Sequence, residues 1–181
     1  MGLLFLGRLG PALAEKADRD KPMSIEADVL QHDDLKQVSV FTGKVVATKG
    51  SIVMRGERIE VRQDPQGFQY GLILPEPGKR AFYRQKREGL NEFMEGEAER
   101  IEYDGRADRV TLMGRAELRR YRGTVLNDEM SGQLISYDNL TDKFRVDGQP
   151  AGESAKVPSA AAPASRVRAV LTPRGASGDA K

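Results

Sequence analysis

The chain has 181 residues, of which 39% are apolar and 6% aromatic, with no tryptophan and no cysteine. Its 29 basic and 27 acidic side chains give a formal net charge of +2, so the surface is densely charged but nearly balanced. A nucleic-acid-binding surface needs concentrated positive charge, which this balance disfavours. The length suits one domain with tails, and the nineteen glycines fit a fold with many turns. The absence of cysteine is compatible with an oxidising compartment but does not establish one.

Residues 1–21 precede the first regular pattern. The apolar run from Leu3 to Leu6, followed by Pro11 to Ala14, resembles the end of a secretory signal that is cleaved after Ala14. The run is shorter than a complete signal and lacks a basic start. Either the true start lies upstream, or Met1 begins a flexible arm. No run approaches the ~20 apolar residues that a membrane helix needs.

Residues 22–148 alternate between apolar and polar side chains, which predicts strands with one apolar face. Glycines separate these strands at short, regular intervals, as in an all-β sandwich, roll or barrel. Two proline- and glycine-containing turns, at 64–67 and 75–79, flank a short predicted strand at 68–74. The predicted fold is therefore a single all-β domain.

One unit of this domain occurs twice. Tyr103 and Asp104 recur 34 residues later as Tyr137 and Asp138. At the same offset, Asp108, Val110, Leu112 and Gly114 match Asp142, Phe144, Val146 and Gly148. An aspartate-rich turn before alternating apolar residues predicts a reused turn and strand. A weaker match relates Gly43 and Lys44 to Gly114 and Arg115, which extends the repeat into the first half of the domain.

The range 149–181 differs in composition from the domain. Alanine, proline, glycine and serine fill 20 of its 33 positions, and it contains no aromatic residue. Such a segment cannot bury enough apolar surface to order itself. It is predicted to be a disordered, weakly basic tail.

Catalytic and metal-binding residues are scarce. The one histidine, His32, lies beside Asp33 and Asp34 in what is predicted to be a surface turn. The aspartates of the repeat could suggest a metal site, but aspartate in a turn more often accepts hydrogen bonds from the backbone. No glycine-rich phosphate loop precedes a helix. We therefore expect neither an enzyme nor a metal or cofactor site.

A set of short segments has a characteristic order and spacing: Ile25 to Asp28, Phe41 to Val45, Thr48 to Ile52, Ile59, Val61, Ala81 to Tyr83, Gln85, Gly96, Ala98, Tyr103, Leu112, Gly114, Ala116 and Leu118. Together these segments resemble the OstA-type domain of the LptA family of lipopolysaccharide-transport bridge proteins. The resemblance covers about residues 22–148. The chain departs from the family at Lys44, where the family usually has asparagine, and at the corresponding Arg115.

The resemblance implies an open, slightly twisted antiparallel β-jellyroll in the periplasm. It would shield the lipid A acyl chains of lipopolysaccharide and bridge LptC-like inner-membrane and LptD-like outer-membrane jellyroll domains. Head-to-tail copies would join by strand pairing, with edges at Met23, Ser24, Ile25, Glu26 and Ala27 and at Phe144, Arg145, Val146, Asp147 and Gly148.

The resemblance also implies an inner wall that contacts acyl chains. Alternation alone fits a closed core equally well, and enlarging Ala47 or Ala116 to leucine is expected to distinguish a trough from a core. The expected inner-wall residues are Met23, Ile25, Val45, Ala47, Ile52, Met54, Ile59, Phe82, Ile101, Leu112, Ala116, Leu118 and Ile135.

Two other classes of protein remain open at this stage. A membrane-anchored accessory component of the same pathway would need an amino-terminal membrane helix. A β-sandwich that is structural or binds carbohydrate would need exposed aromatic rings for sugar stacking, and the chain has five tyrosines, six phenylalanines and no tryptophan.

Overall fold

The computed structural model describes residues 18, 20–87, 91–148 and 166–172. This described part contains antiparallel strands and no helix, so none of its segments forms an apolar helix long enough to span a membrane. The prediction of an all-β jellyroll is confirmed. The strands are β1 (Met23–Glu26), β2 (Val29–Asp33), β3 (Val38–Lys49), β4 (Ile52–Gln63), β5 (Gln69–Leu74), β6 (Ala81–Lys86), β7 (Glu92–Ala98), β8 (Arg100–Asp104), β9 (Arg109–Arg122), β10 (Val125–Asp138), β11 (Lys143–Asp147) and β12 (Arg168–Val170).

The strands form one continuous sheet that folds into two layers, because the four long strands β3, β4, β9 and β10 each contribute to both layers. Layer one contains β2, the first part of β3, the second part of β4, β5, β8, the first part of β9, the second part of β10, and β11. Layer two contains β1, the second part of β3, the first part of β4, β6, β7, the second part of β9, the first part of β10, and β12.

The long strands bend along one line, which we call the spine. In β3 the register shifts between Thr42 and Val45, and Gly43 has a φ of 88°. In β9 the corresponding Gly114 has a φ of 74°. This backbone region is readily available only to glycine, so the two residues define where the strands turn from one layer to the other. The weaker sequence match between these two positions therefore corresponds to the same bend.

The side opposite the spine, which we call the seam, is made of turns. Each turn joins neighbouring strands of one layer, as between β8 and β9 or between β10 and β11. The described connections that cross between layers lie at the spine instead. For example, the amide of Glu99 donates to the carbonyl of Gly114 at 2.9 Å, and the amide of Asp28 donates to that of Thr42 at 3.1 Å.

The aspartates of the repeat are turn residues, as predicted. The carboxylate of Asp104 accepts hydrogen bonds from the amides of Arg106 and Ala107, both at 2.9 Å. The carboxylate of Asp138 accepts equivalent bonds from the amide and hydroxyl of Thr141, also at 2.9 Å. These bonds satisfy amides that the strand ladder leaves unpaired.

The prediction for the tail is wrong at one short segment. Residues 168–170 form β12, which pairs with Glu129 to Ser131 of β10. The side chains of β12 are exposed, so backbone hydrogen bonding to an open strand edge replaces the burial that composition had ruled out. The rest of 149–181, apart from 166, 167, 171 and 172, lies outside the described residues. So do residues 1–17 and 19 of the predicted amino-terminal arm.

Candidate functional site

The space between the layers is lined by most of the predicted inner-wall residues. Ten of the thirteen are buried, at no more than 1% exposure: Val45, Ala47, Ile52, Met54, Ile59, Ile101, Leu112, Ala116, Leu118 and Ile135. Met23 and Ile25 are half-buried and pack against this core. The geometry thus brings twelve predicted positions together in one apolar interior; their contact with lipid stays a prediction.

Phe82 is the exception, and its predicted inward orientation is wrong. In β6, Ala81 and Tyr83 face the interior, and Phe82 points outward. Its ring lies 4.9 Å from the Arg55 guanidinium, on the outer face. The short strand contains three apolar or amphipathic residues in succession, so alternation did not decide which face is buried.

The central part of the interior is filled, because its side chains are at most 4% exposed. Nine of these buried residues were not among the predicted inner-wall positions: Ile73, Ala81, Tyr83, Met94, Ala98, Tyr103, Val110, Met130 and Tyr137. Three of them are tyrosines, whose rings occupy much of the volume that small aliphatic residues would leave open. In this conformation the interior is a packed core.

The interior opens at its amino-terminal end into a cleft of about 220 Å³. The apolar wall of the cleft consists of Met23 and Ile25 from β1 with Phe41 and Val61 from layer one. Polar side chains form the rest of the lining: His32, Gln37, Ser39, Gln63 and Gln69. An apolar wall with a polar margin suits a ligand that has an apolar chain and a polar head.

His32 lines this cleft and lies in β2, so the prediction that it lies in a turn is wrong. Its Nδ1 lies 2.9 Å from the Ser39 hydroxyl, and its Nε2 lies 3.6 Å from Asp34. The side chain is 45% exposed. These contacts position the ring at the cleft margin.

The seam below the interior is lined by polar groups from both layers. Burial lowers the pKa of Lys49, whose ammonium, in layer two, donates to the carbonyl of Lys21 at 2.6 Å and to Gln69 of layer one at 3.4 Å. Burial also raises the pKa of Tyr83 well above its usual value.

The second seam contact joins Arg87, directly after β6, to Asp142 in the turn before β11. Partial burial alone would raise the pKa of Asp142, but hydrogen bonds from Arg87 and Tyr137 lower it below its usual value. The Tyr137 hydroxyl donates to this carboxylate at 2.5 Å, and burial with this bond raises the pKa of Tyr137. Arg87 also pairs with Glu92.

Each end of the roll presents two edge strands, one per layer. At one end β1 and β2 each pair only with β3, and at the other end β11 and β12 each pair only with β10. The predicted edges at Met23 to Ala27 and at Phe144 to Gly148 thus fall on edge strands, but on different layers. Sequence reasoning missed β2, the layer-one edge at the amino-terminal end.

The outer faces are covered by charged side chains. Guanidinium groups lie 4.3 Å from the ring centres of Tyr70 and Phe93. These rings are therefore not free platforms for sugar stacking. Among the residues that the structure describes, no group of three or more acidic or histidine side chains is arranged to hold a metal.

Together, the fold and the site define an all-β jellyroll of two layers with an apolar interior and unpaired strand edges at both ends. Residues 24–143 match the family described as "LptA/(LptD N-terminal domain) LPS transport protein". The chain belongs to this family.

Three relatives are similar over most of the chain. The lipopolysaccharide export system protein LptH of Pseudomonas aeruginosa is 31% identical over 127 residues, covering 70% of this chain and 69% of that protein. LptA of Escherichia coli is 32% identical over 122 residues, 67% of this chain and 64% of that protein. LptA of Haemophilus influenzae is 26% identical over 150 residues, 81% of this chain and 84% of that protein.

The crystal structure of Pseudomonas aeruginosa LptH, described as the LptA-homologous periplasmic component of the lipopolysaccharide transport device, superposes with a TM-score of 0.70. The two chains are 25% identical, and the alignment covers 87% of this chain and 99% of the other.

Proposed function

We propose that the chain is a periplasmic component of lipopolysaccharide transport that shields lipid A acyl chains between its two layers. It bridges LptC-like and LptD-like jellyroll domains by end-to-end strand pairing. The observation that carries the proposal is the apolar interior that continues into the cleft at Met23, Ile25, Phe41 and Val61. Family membership supports the same conclusion.

The physical need for such a carrier follows from the acyl chains. Each methylene that leaves water gains about 0.8 kcal/mol, so a chain with on the order of ten methylenes needs an apolar surface to cross an aqueous space. The cleft offers this surface without unfolding the core. Acyl chains would contact Met23 and Ile25 first and would reach the deeper residues after the layers separate.

The edge strands support a specific mode of assembly. Backbone groups on an open edge can pair with a strand of another chain, as in β-augmentation. Because β2 and β11 both belong to layer one, the β11 strand of one copy would pair with the β2 strand of the next. The β1 strand would then meet layer two of the neighbour. This arrangement keeps the interiors aligned along the stack.

Lipid contact can be tested with a matched pair of substitutions on β1. Ile25→Arg places a charge in the apolar cleft, whereas Ser24→Arg adds the same charge on the exposed face of the same strand. Burying an unpaired charge is costly, so we expect Ile25→Arg to weaken binding of fluorescent lipid A at least about tenfold. Ser24→Arg should bind like the wild type. Equal affinities for the two folded variants would contradict lipid binding in the cleft.

Strand pairing can be tested by oxidative cross-linking, since the chain has no cysteine of its own. Gln31→Cys with Arg145→Cys marks the outer faces of β2 and β11, and we expect a ladder of disulfide-linked oligomers. Ser24→Cys with Arg145→Cys marks edges of different layers and serves as the control. Equal cross-linking of both pairs would contradict the layer-to-layer junction.

A further inference from the structure

The two layers are connected differently along their two sides. At the spine, four continuous strands pass from one layer to the other. At the seam, each described turn stays within its own layer, so among the described residues side-chain contacts hold the layers together there. A movement that separates the layers would therefore rotate them about the spine and break the seam.

Side-chain hydrogen bonds between described residues join the layers across the seam, and two of them differ in strength; Tyr83 of layer two and Asn139 of layer one form a further contact. Near the amino-terminal end, Lys49 reaches Gln69 at 3.4 Å, which is a long hydrogen bond to a neutral group. Farther along, the Arg87 guanidinium donates from Nε to Asp142 at 3.2 Å and from a terminal nitrogen to the other carboxylate oxygen. A bidentate hydrogen bond between charged groups is stronger than a single hydrogen bond to a neutral group.

The surroundings of Arg87 favour this contact over solvation. The Arg87 side chain is 15% exposed, and Glu92, at 9%, holds it from within layer two. The Tyr137 hydroxyl fixes the Asp142 carboxylate from layer one. The partners on each side are thus oriented before the layers meet.

The packed interior makes this contact relevant to ligand entry. Residues behind the seam, such as Tyr83 and Ile101, are fully buried, so an acyl chain cannot reach them without separation of the layers. We propose that acyl chains enter the deep interior through the seam and that Arg87 is the positioning residue that holds the seam closed through Asp142. This inference rests on the proposed lipid-transport function.

The first test locks the seam. Arg87→Cys with Asp142→Cys is joined by a bis-maleimide that a reducing agent cleaves, and uptake of fluorescent lipid A is followed by stopped flow. We expect the cross-linked form to lose slow, deep uptake, and cleavage to restore it. The control is Arg84→Cys with Glu95→Cys, two paired residues of layer two that the same reagent joins without spanning the seam.

The second test removes the charge. Arg87→Gln should accelerate uptake about tenfold, because a hydrogen bond between charged groups no longer opposes separation. Arg100→Gln, which removes an exposed arginine paired with Glu102 in its own strand, is the matched control and should leave uptake unchanged. Thermal unfolding confirms that both variants are folded.

The outcomes separate this inference from the proposed function. If the seam-locked protein takes up lipid as fast as its control, entry through the seam is refuted while lipid carriage stands. An unchanged rate for Arg87→Gln refutes the role of Arg87. If the wild type itself takes up no lipid, both proposals fail.

Discussion

Enlarging Ala47 to leucine distinguishes a packed interior from an open trough. Ala47 is fully buried in β3, opposite Ile25 on one side and Met54 on the other. Ala47 is 0% exposed and Met54 is 1% exposed, so no void as large as a water molecule adjoins Ala47 in this conformation. The added methylenes must displace neighbours, which costs about 1–3 kcal/mol of unfolding free energy. For a domain of this size that corresponds to a fall in Tm of roughly 4–12 °C.

The assay is thermal unfolding of lipid-free protein, followed by circular dichroism. Thr48→Leu on the exposed face of the same strand is the control, and a surface change of this kind should alter stability by less than about 0.5 kcal/mol. An unchanged Tm for Ala47→Leu would refute the packed interior and would show that the lipid-free protein already contains an open trough.

Two further predictions concern the spine and the outer face. Lys44 has a φ of 47°, a conformation that asparagine tolerates better than lysine. Lys44→Asn should therefore raise the unfolding free energy, measured by urea titration, by about 0.5–1 kcal/mol. Lys44→Ala, the control, should not raise it. A gain from both variants would contradict this explanation. Burial alone would raise the pKa of Glu117, but hydrogen bonds from the Arg80 and Arg119 guanidinium groups lower it from 4.5 to about 2. Because the folded-state pKa is lowered, this carboxylate should contribute stability of up to about 3 kcal/mol above pH 4.5, lost as the pH falls toward 2. The difference in urea stability between wild type and Glu117→Gln should therefore shrink between about pH 6 and pH 2.5, and a constant difference would contradict the assignment.

Local sequence features were sufficient to predict most of the strands and turns, but not β2 or β12. The aspartates at 104 and 138 accept backbone hydrogen bonds within three residues, so their role depends on neighbours that the sequence lists together. The same holds for the glycines of the spine, where Gly43 and Gly114 both have positive φ. At the residue after each glycine, Lys44 and Arg115 have φ values of 47° and 43°, a left-handed backbone that asparagine adopts more readily than lysine or arginine.

Features that depend on distant partners could not be predicted. Arg87 and Asp142 are 55 positions apart, and their contact depends on how the two layers close. The side chain of Phe82 turned outward because Ala81 and Tyr83 fill the interior positions of a strand too short to set its own register. The β12 strand pairs through its backbone, a contribution that side-chain composition does not record.

The positions of the turns in the two copies of the repeat determine where the layers can separate. Each copy places an aspartate turn at the seam, and the bends and described crossings lie at the spine. Further copies would therefore lengthen the apolar interior along the stack while leaving every layer free to rotate about the same line. The fourth turn residue of each copy, Asp108 or Asp142, has a positive φ and directs its side chain toward the seam. The Asp108 carboxylate accepts a hydrogen bond from the Asn139 amide at 3.0 Å, within layer one. The Asp142 carboxylate instead binds Arg87 across the layers. One repeated position thus stabilises a turn in the first copy and closes the seam in the second.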